Sequence, residues 1–325
     1  MKVIRPRCFL LVSLFMALLA LQEIALAQGF PSRPIKLIVP FAPGGTDVSF
    51  RILAGKLGEI WKQPVVVENR TGGSSIIATD LVAKAPPDGY TLLGNVTLIV
   101  QNPSLYEKLP YDPYKDIVPV TQVFTEQLLL VISASSSAKS LSEFIDLAKR
   151  NHGTYNFASY GSGSTAHILL GELNKGAGID LLHVPYKGTV PAMQALLSGE
   201  AQVALLNFGT AKPQINAGKL RVIAAMGSKR SNFVPGVPTF EEQGVKGFAF
   251  SNWGGLFVPG GTPKGIVSAV ASAVTAAVRS AEVAAKLQEF GQDPAGGMPE
   301  EFAEIFDRDL KFYARAIKSA GIRAE

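Results

Sequence analysis

Strand-like and helix-like segments alternate along this chain, and this alternation is the strongest constraint on its fold. Apolar, β-branched runs are each followed by a Gly- or Ser-rich turn and then by apolar residues at helical spacing. Strands that alternate with helices form mainly parallel sheets with helices packed on their faces. The sequence therefore predicts an α/β protein.

The alternation is interrupted where two extended runs, residues 118–124 and 128–132, follow each other without a helix between them. A third extended run at 253–258 is predicted to cross back. Two blocks of strands and helices joined by such crossovers predict two lobes. We assign residues 28–126 and 253–325 to lobe 1, and residues 127–252 to lobe 2.

The first 27 residues have the pattern of a secretory signal peptide. An apolar run at 9–21 is shorter than a membrane span, and Ala25-Leu26-Ala27 fits a cleavage site. The basic residues that precede the apolar run are Lys2, Arg5 and Arg7. We expect residues 1–27 to be removed and the chain to be exported to the periplasm. A retained membrane anchor is the alternative, although a bilayer-crossing helix needs about 20 apolar residues.

Composition argues against several classes of function. The one cysteine, Cys8, lies in the signal region, so no disulfide or thiol chemistry is expected in the mature chain. The formal charge is only +5, and basic residues are not interleaved with aromatic ones as in nucleic-acid-binding proteins. His152, His167 and His183 are not at metal-ligand spacing, so we expect neither a metal nor a cofactor.

One loop has the composition of an anion-binding turn. Residues 39–47, VPFAPGGTD, connect the first predicted strand to the first predicted helix. Gly44 and Gly45 allow close approach of the backbone, and Thr46 or Asp47 is suited to be the N-cap. The N–H groups at a helix N-terminus stabilise a carboxylate by roughly 0.3 to 1 kcal/mol. An ordinary βα connection is the alternative for this stretch alone.

A second strand–turn–helix unit mirrors the first. Its turn, Ser159 to Ser164, precedes a helix with His167 in the first turn. Residues 161–166 also fit the G-x-G-x-x-A dinucleotide fingerprint. The position in mid-chain and the expected export argue against a dinucleotide, and the same turn suits any small anion. Ser162 lies one position too early for a hydrolase nucleophile elbow.

Short motifs occur in a fixed order along the mature chain. They are PGG with Asp47, VVVENR (65–70), PDGY (87–90), NPSLY (102–106), LPYDP (109–113), HVPYKG (183–188), AGKL (217–220), VPT (237–239) with Glu242 and Gly244, and WG (253–254) with Pro259. Together they resemble the Bug family, the extracytoplasmic solute receptors of tripartite tricarboxylate transporters. The resemblance covers essentially all of the mature chain.

The resemblance implies a two-lobed periplasmic-binding-protein fold of type II that closes on a small organic anion. It also implies inner-membrane permease subunits as partners. We expect a monomeric receptor with no catalytic residues. An exported enzyme that uses the same cleft, and a structural envelope protein, are the alternatives. Loop patterns and the resemblance together give the candidate ligand-binding residues Phe41, Ala42, Pro43, Gly44, Gly45, Asp47, Asn95, Thr97, Ser159, Gly161, Gly163, Ser164, Thr165, His167, Tyr186, Lys187, Gly188 and Asn207.

The chain departs from the family pattern at three positions near the expected site. Leu206 stands where members often have an acidic residue, and Gly209 replaces a common proline. Such acids often meet an ammonium group, so the sequence argues mildly against an amino acid as ligand. Tyr160 occupies a position that is usually small, which predicts a reshaped pocket for an aromatic or longer acid.

The signal-peptide pattern makes a first prediction. The mature protein recovered from the periplasm is expected to begin at Gln28. Intact-mass analysis of the exported protein tests this, and a mass that still includes residues 1–27 would contradict it.

Overall fold

The computed structural model describes residues 29–43 and 46–322. The predicted signal peptide, Cys8, and the glycine pair Gly44 and Gly45 lie outside the described residues. Strand and helix alternate as the sequence predicts. The strands are β1 (Ile35–Val39), β2 (Val65–Asn69), β3 (Thr91–Val96), β4 (Ile117–Glu126), β5 (Leu128–Ser133), β6 (Asn156–Ser159), β7 (Leu182–Pro185), β8 (Val203–Asn207), β9 (Leu220–Ala225), β10 (Asn252–Pro259) and β11 (Gln292–Pro294).

Helices follow most of these strands. They are α1 (Thr46–Trp61), α2 (Ile76–Ala83), α3 (Leu98–Leu105), α4 (Leu141–Arg150), α5 (Thr165–Ala177), α6 (Thr189–Ser198), α7 (Phe208–Asn216), α8 (Lys264–Arg279), α9 (Ala281–Glu289) and α10 (Pro299–Ala320). Short 3₁₀ turns occur at Gly73–Ser75 and Glu241–Gln243. The second turn is opened by a capping box, in which the Thr239 Oγ1 accepts from the Glu242 N–H at 3.0 Å.

The strands form two mixed sheets, and the predicted two-lobed α/β fold is confirmed. The six-stranded sheet has the order β11-β4-β10-β3-β1-β2, and the five-stranded sheet has the order β7-β6-β8-β5-β9. Pairing is parallel between β1 and its neighbours and between β6 and its neighbours. The strand that follows each crossover, β5 or β10, runs antiparallel to both of its neighbours.

The chain crosses between the sheets at the places where the sequence has consecutive extended runs. Strand β4 belongs to the six-stranded sheet, whereas β5 begins two residues later in the other sheet. The return crossing ends at Asn252, the first residue of β10. We call the parts of the chain built on the six-stranded and the five-stranded sheet the first and second lobe. The boundaries proposed above, after residues 126 and 252, stay a prediction.

Apolar side chains cover both sheets, and one cluster joins the two lobes. Ile168 of α5 is fully buried in the same cluster as Phe302, Phe306 and Tyr313 of α10. Helix α5 follows a strand of the second lobe, whereas α10 packs on the first. This packing holds the N-terminal end of α5 at a fixed place beside the first lobe.

Among residues 29–43 and 46–322, no single helix is both long and apolar enough to cross a membrane. Helices α8 and α9 together meet that criterion by length and composition, with a bend of 72° between them.

A buried indole–carboxylate bond in the first lobe makes the second prediction. Trp253 is 1% exposed, and its Nε1–H donates to Asp309 Oδ2 at 2.8 Å. Trp253→Phe leaves that buried oxygen without this donor, so the free energy of unfolding should fall by about 1–3 kcal/mol in denaturant titrations.

The matched control is Asp307→Asn on the same helix, because Asp307 pairs with Lys311 at an exposed site. That change should cost less than about 1 kcal/mol. Equal effects of the two substitutions would contradict the role given to the Trp253 bond.

Candidate functional site

A cavity of about 590 Å³ lies between the two lobes, and we call it the cleft. Residues from the first lobe, the crossovers and the second lobe all contribute to its wall. They are Phe41, Thr46, Ser74, Val96, Thr97, Leu98, Leu105, Glu126, Leu128, Tyr160, Gly161, Ser162, Gly163, Ser164, Thr165, Gly188, Thr189, Asn207, Gly209, Thr210, Asn252, Phe290 and Gln292. The cleft is therefore shared between the lobes, as expected for a site that closes on a ligand.

Helix N-termini from both lobes meet at the cleft. The parallel strands end at the same edge of each sheet, so the helices that follow begin there. The lining residues at or beside these helix starts are Thr46 (α1), Thr97 (α3), Ser164 (α5), Gly188 (α6) and Asn207 (α7). Each helix start carries free N–H groups and partial positive charge. The cleft is therefore an environment for an anion.

Two of these helices, α5 and α7, have a side-chain N-cap. The Ser164 Oγ accepts from the His167 N–H at 3.3 Å, and the Asn207 Oδ1 accepts from the Thr210 N–H at 3.0 Å. These caps fix the direction of the helices and satisfy one donor each. The remaining N–H groups of the first turn point out of the N-terminal end of the helix, where a ligand would lie.

Contacts between the lobes cross the back of the cleft. Gln101 Nε2 of α3 donates to Thr165 Oγ1 of α5 at 2.7 Å, and this bond is buried. Gly163 has a φ of +73°, and a Cβ on it would meet Leu105 Cδ1 at 2.9 Å. Glycine is therefore needed at this position, both for the backbone angle and for the close approach of the lobes.

The described part of the cleft wall contains no lysine, arginine or histidine. Its ionisable side chains are Glu126 and Tyr160. Burial raises the pKa of the Glu126 carboxyl to about 7, although a hydrogen bond from Gln292 opposes the shift. Burial also raises the pKa of the Tyr160 phenol to about 12, so it stays protonated near neutral pH.

Several of the predicted ligand-binding residues lie in the wall of the cleft. They are Phe41, Thr97, Gly161, Gly163, Ser164, Thr165, Gly188 and Asn207. Tyr160, which the sequence singled out as an unusual residue, lies there too. The structure thus brings the two predicted loop systems together from opposite lobes.

Asp47 lies behind the first loop and not in the wall. Its carboxylate is 1% exposed, and it accepts from Arg51 Nε at 2.7 Å and from Asn69 Nδ2 at 2.6 Å. Asn69 also donates to the Phe41 carbonyl at 2.7 Å. These bonds tie the loop to β2, so Asp47 positions the loop that bears Phe41.

Other predicted residues also lie outside the wall. Asn95 is fully buried, and its Oδ1 accepts from the Val96 N–H at 2.8 Å. The Tyr186 hydroxyl donates to Glu200 at 3.2 Å on the surface, and Lys187 is exposed. Ala42 and Pro43 are exposed beside the undescribed glycine pair.

His167, His183 and Ser159 form a stacked cluster under the glycine-rich loop. The two imidazole rings stack at 3.6 Å between centroids. His167 Nδ1 accepts from the Gly163 N–H at 3.0 Å, and His183 Nε2 lies 2.7 Å from the Ser159 Oγ. The cluster therefore supports the loop from behind. Burial lowers the pKa of both histidines, to about 4 for His183, where His167 adds to the effect.

The cleft also contains lining residues that the sequence reasoning did not select. Ser162 and Thr189 lie next to predicted residues and Thr210 lies three residues after Asn207, so all three could have been found from their loops. Glu126, Asn252 and Gln292 carry no local signal, because strands far apart in the chain bring them together. The sequence argument against an amino acid considered only the acid replaced by Leu206, whereas Glu126 supplies a carboxyl from β4.

A two-lobed α/β fold with a cleft at the crossovers is the architecture of periplasmic solute-binding proteins. The protein-family model described as "Tripartite tricarboxylate transporter family receptor" matches residues 49–322. Protein BugT of Bordetella pertussis is 34% identical over 322 residues, which cover 98% of each chain. The chain therefore belongs to this receptor family, as the sequence motifs indicated.

Two solved structures with bound acids are similar along nearly the whole chain. "R. palustris Rpa4515 with adipate" has a TM-score of 0.81 at 32% identity, and covers 90% of this chain and 99% of that one. "MatC (Rpa3494) from Rhodopseudomonas palustris with bound malate" has a TM-score of 0.77 at 31% identity, and covers 89% of this chain and 100% of that one. Family and neighbours are periplasmic solute-binding proteins.

The histidine cluster makes the third prediction. Free histidine binds a proton near pH 6.5, but these folded imidazoles bind it only at lower pH. As pH falls below about 6.5, these histidines take up protons in the unfolded chain first, so their contribution to stability should decrease down to about pH 4. Denaturant titrations at pH 7.5 and 4.5 should show that the change in unfolding free energy between the two pH values differs between wild type and His183→Phe by about 1 kcal/mol, with the lower pH destabilising wild type more.

His152→Gln is the matched control, because the His152 side chain is 75% exposed. It should leave the pH dependence of stability unchanged. A wild-type protein and a His183→Phe variant with the same pH dependence would contradict the prediction.

Proposed function

We propose that this protein is a periplasmic receptor that binds a small organic mono-, di- or tricarboxylate in the cleft. It delivers this anion to the inner-membrane permease subunits of a tripartite tricarboxylate-type transporter. The single observation that carries the proposal is the convergence of helix N-termini from both lobes on one cleft. Export with removal of residues 1–27, and a monomeric state, belong to the same proposal.

Backbone dipoles provide the attraction that a basic side chain would otherwise provide. A carboxylate near a helix N-terminus gains up to about 2 kcal/mol when partly buried. Hydroxyls of Ser164 and Thr165 lie beside these N–H groups and add donors. The adipate and malate bound to two related proteins are carboxylates of a size that suits this cleft.

The cleft also has an apolar part, which suits the carbon chain of an organic acid. It is formed by Phe41, Val96, Leu98, Leu105, Leu128 and Phe290. Burying a methylene group against such side chains contributes about 0.8 kcal/mol. Together, the helix starts and the apolar residues favour an organic acid over an inorganic anion.

The competing proposal is an exported enzyme that acts on a carboxylic acid in the cleft. Ser159 and His183 are in contact, as a nucleophile and its base would be. However, Ser159 is fully buried, its hydroxyl donates to the Gly161 carbonyl at 3.0 Å, and it does not line the cleft. This arrangement favours a structural role for the pair and supports a receptor without turnover.

The fourth prediction tests the charge of the ligand. Purified protein is mixed with a panel of mono-, di- and tricarboxylates and with the amide and methyl ester of each. An acid present at a hundred times its dissociation constant should stabilise the fold by roughly 2.7 kcal/mol, seen as a thermal shift. The amide and the ester should bind far more weakly, because the helix N-termini favour a negative charge.

Two outcomes would contradict the proposal. Equal binding of an acid and its amide would exclude the helix N-termini as an anion site. Chromatography of the same mixtures separates receptor from enzyme, since a receptor leaves the acid unchanged and an enzyme yields products. A protein that shows no thermal shift with any small molecule would be structural.

A further inference from the structure

A row of three polar side chains forms one boundary of the cleft at the crossovers. Strand β4 lies between β10 and β11 in the sheet. In the strand register, Glu126 on β4 is opposite Asn252 on β10 and opposite Gln292 on β11. Directly paired residues of neighbouring strands point to the same face of a sheet. All three line the cleft, and we call them the crossover row.

The orientation of the Gln292 side-chain amide is fixed by Ser49, which is not part of the crossover row. The Ser49 Oγ donates to Gln292 Oε1 at 2.7 Å, and both residues are buried. Because Oε1 accepts from Ser49, the amide N–H groups of Gln292 are left for Glu126, the residue directly opposite it on β4. Gln292 therefore supplies Glu126 with a donor, while a carboxyl group has room for several.

The crossover row has more acceptors than donors. Asn252 is 6% exposed, and its Oδ1 accepts no hydrogen bond from any described residue. The described wall of the cleft offers no lysine, arginine or histidine that could pair with Glu126. Glu126 is half-buried in the cleft wall, so an apolar ligand group placed against it would displace water from its carboxyl without replacing the lost hydrogen bonds.

We propose that the ligand is a carboxylic acid that also carries a hydrogen-bond donor, a hydroxyl or an ammonium group, and that Glu126 receives this donor. The inference rests on the proposed function and adds a second point of recognition. The helix N-termini hold the ligand carboxylate, and Glu126 holds the donor at the crossovers. Glu126 then selects substituted acids over their unsubstituted parents.

This assignment changes what the sequence suggests about the ligand. The missing acid beside Asn207 argued mildly against an amino acid, whereas Glu126 restores a carboxyl to the cleft from another strand. A hydroxy acid and an amino acid both meet the requirement. The experiment therefore has an arm for each.

The fifth prediction uses matched series of probes, namely succinate with L-malate and L-aspartate, and butyrate with 3-hydroxybutyrate and 3-aminobutyrate. Calorimetry on the mature protein should show a donor-bearing member binding at least about tenfold more tightly than its parent.

In Glu126→Met, that preference should fall below about threefold. Glu289→Gln is the matched control, since it removes an exposed carboxylate next to Phe290 without reaching the cleft, and it should keep the preference.

Glu126→Gln separates the two donors and also serves if Glu126→Met does not fold. A neutral amide still accepts from a hydroxyl, so the hydroxy acid should lose little affinity. The amino acid should lose at least about tenfold, because its ammonium group no longer meets a charge.

The pH dependence of affinity provides an independent readout. Glu126 must be ionised to receive an ammonium group or to accept best from a hydroxyl, so affinity for the donor-bearing acid should rise from pH 6 to pH 8. Tyr160 is the other ionisable side chain in the described wall of the cleft, and burial raises its pKa to about 12. It therefore stays protonated in that range, and Glu126→Met should remove the rise.

Three results would overturn the inference. Equal affinity for substituted and unsubstituted acids, or a preference that survives in Glu126→Met, would exclude Glu126 as the selecting residue while leaving the receptor proposal intact. Affinity that falls as pH rises would show that protonated Glu126 instead donates to a ligand carboxylate. If none of the probes or the carboxylate panel bind, the receptor proposal fails and this inference fails with it.

Discussion

The direction of the strands determines where the helices begin, and therefore which backbone groups line the cleft. Parallel strands end together, so the helices that follow them begin together at one edge of each sheet. The crossovers β4 to β5 and the return to β10 bring these two edges face to face. The same constraint also explains why the crossover strands are antiparallel to their neighbours, since each enters its sheet from the opposite lobe. A binding site made of backbone groups is the direct result.

The lobes are held together by more than the crossovers. Ile168 packs among the aromatic residues of α10, and Gln101 donates to Thr165 across the back of the cleft. Both contacts involve α5, the helix that begins at Ser164. The start of α7 also touches the first lobe, since a Cβ on Gly209 would meet the Phe290 carbonyl oxygen at 2.7 Å. Any rotation of the second lobe would therefore have to preserve or break contacts at the starts of both α5 and α7.

Much of the fold could be read from the sequence, because it depends on local patterns. The alternation of strands and helices, the two crossovers and the capping box at Thr239 all follow from composition over a few residues. Helices α3 and α7 carry no such local pattern. Both are short, and each contains a proline, Pro103 in α3 and Pro213 in α7, which normally argues against a helix.

The site was predictable only where it consists of loops that follow strands. The glycine-rich turn at Gly161 to Ser164 and the cap at Asn207 carry their own signals, and they line the cleft. Asp47 and His167 were selected by residue type, but both turn away from the cleft to hold a loop in place. Glu126, Asn252 and Gln292 depend on the register between distant strands, which no short pattern in the sequence specifies.

The absence of basic side chains from the described wall of the cleft also affects how a ligand arrives. The field of a helix terminus falls off within about one turn, whereas a full charge acts over a Debye length of about 8 Å at physiological ionic strength. A cleft that attracts anions through backbone dipoles therefore acts on a ligand only after it has entered. The described wall of the cleft therefore contributes little to long-range steering, and its contribution to affinity and selectivity comes from contacts made after the ligand has entered.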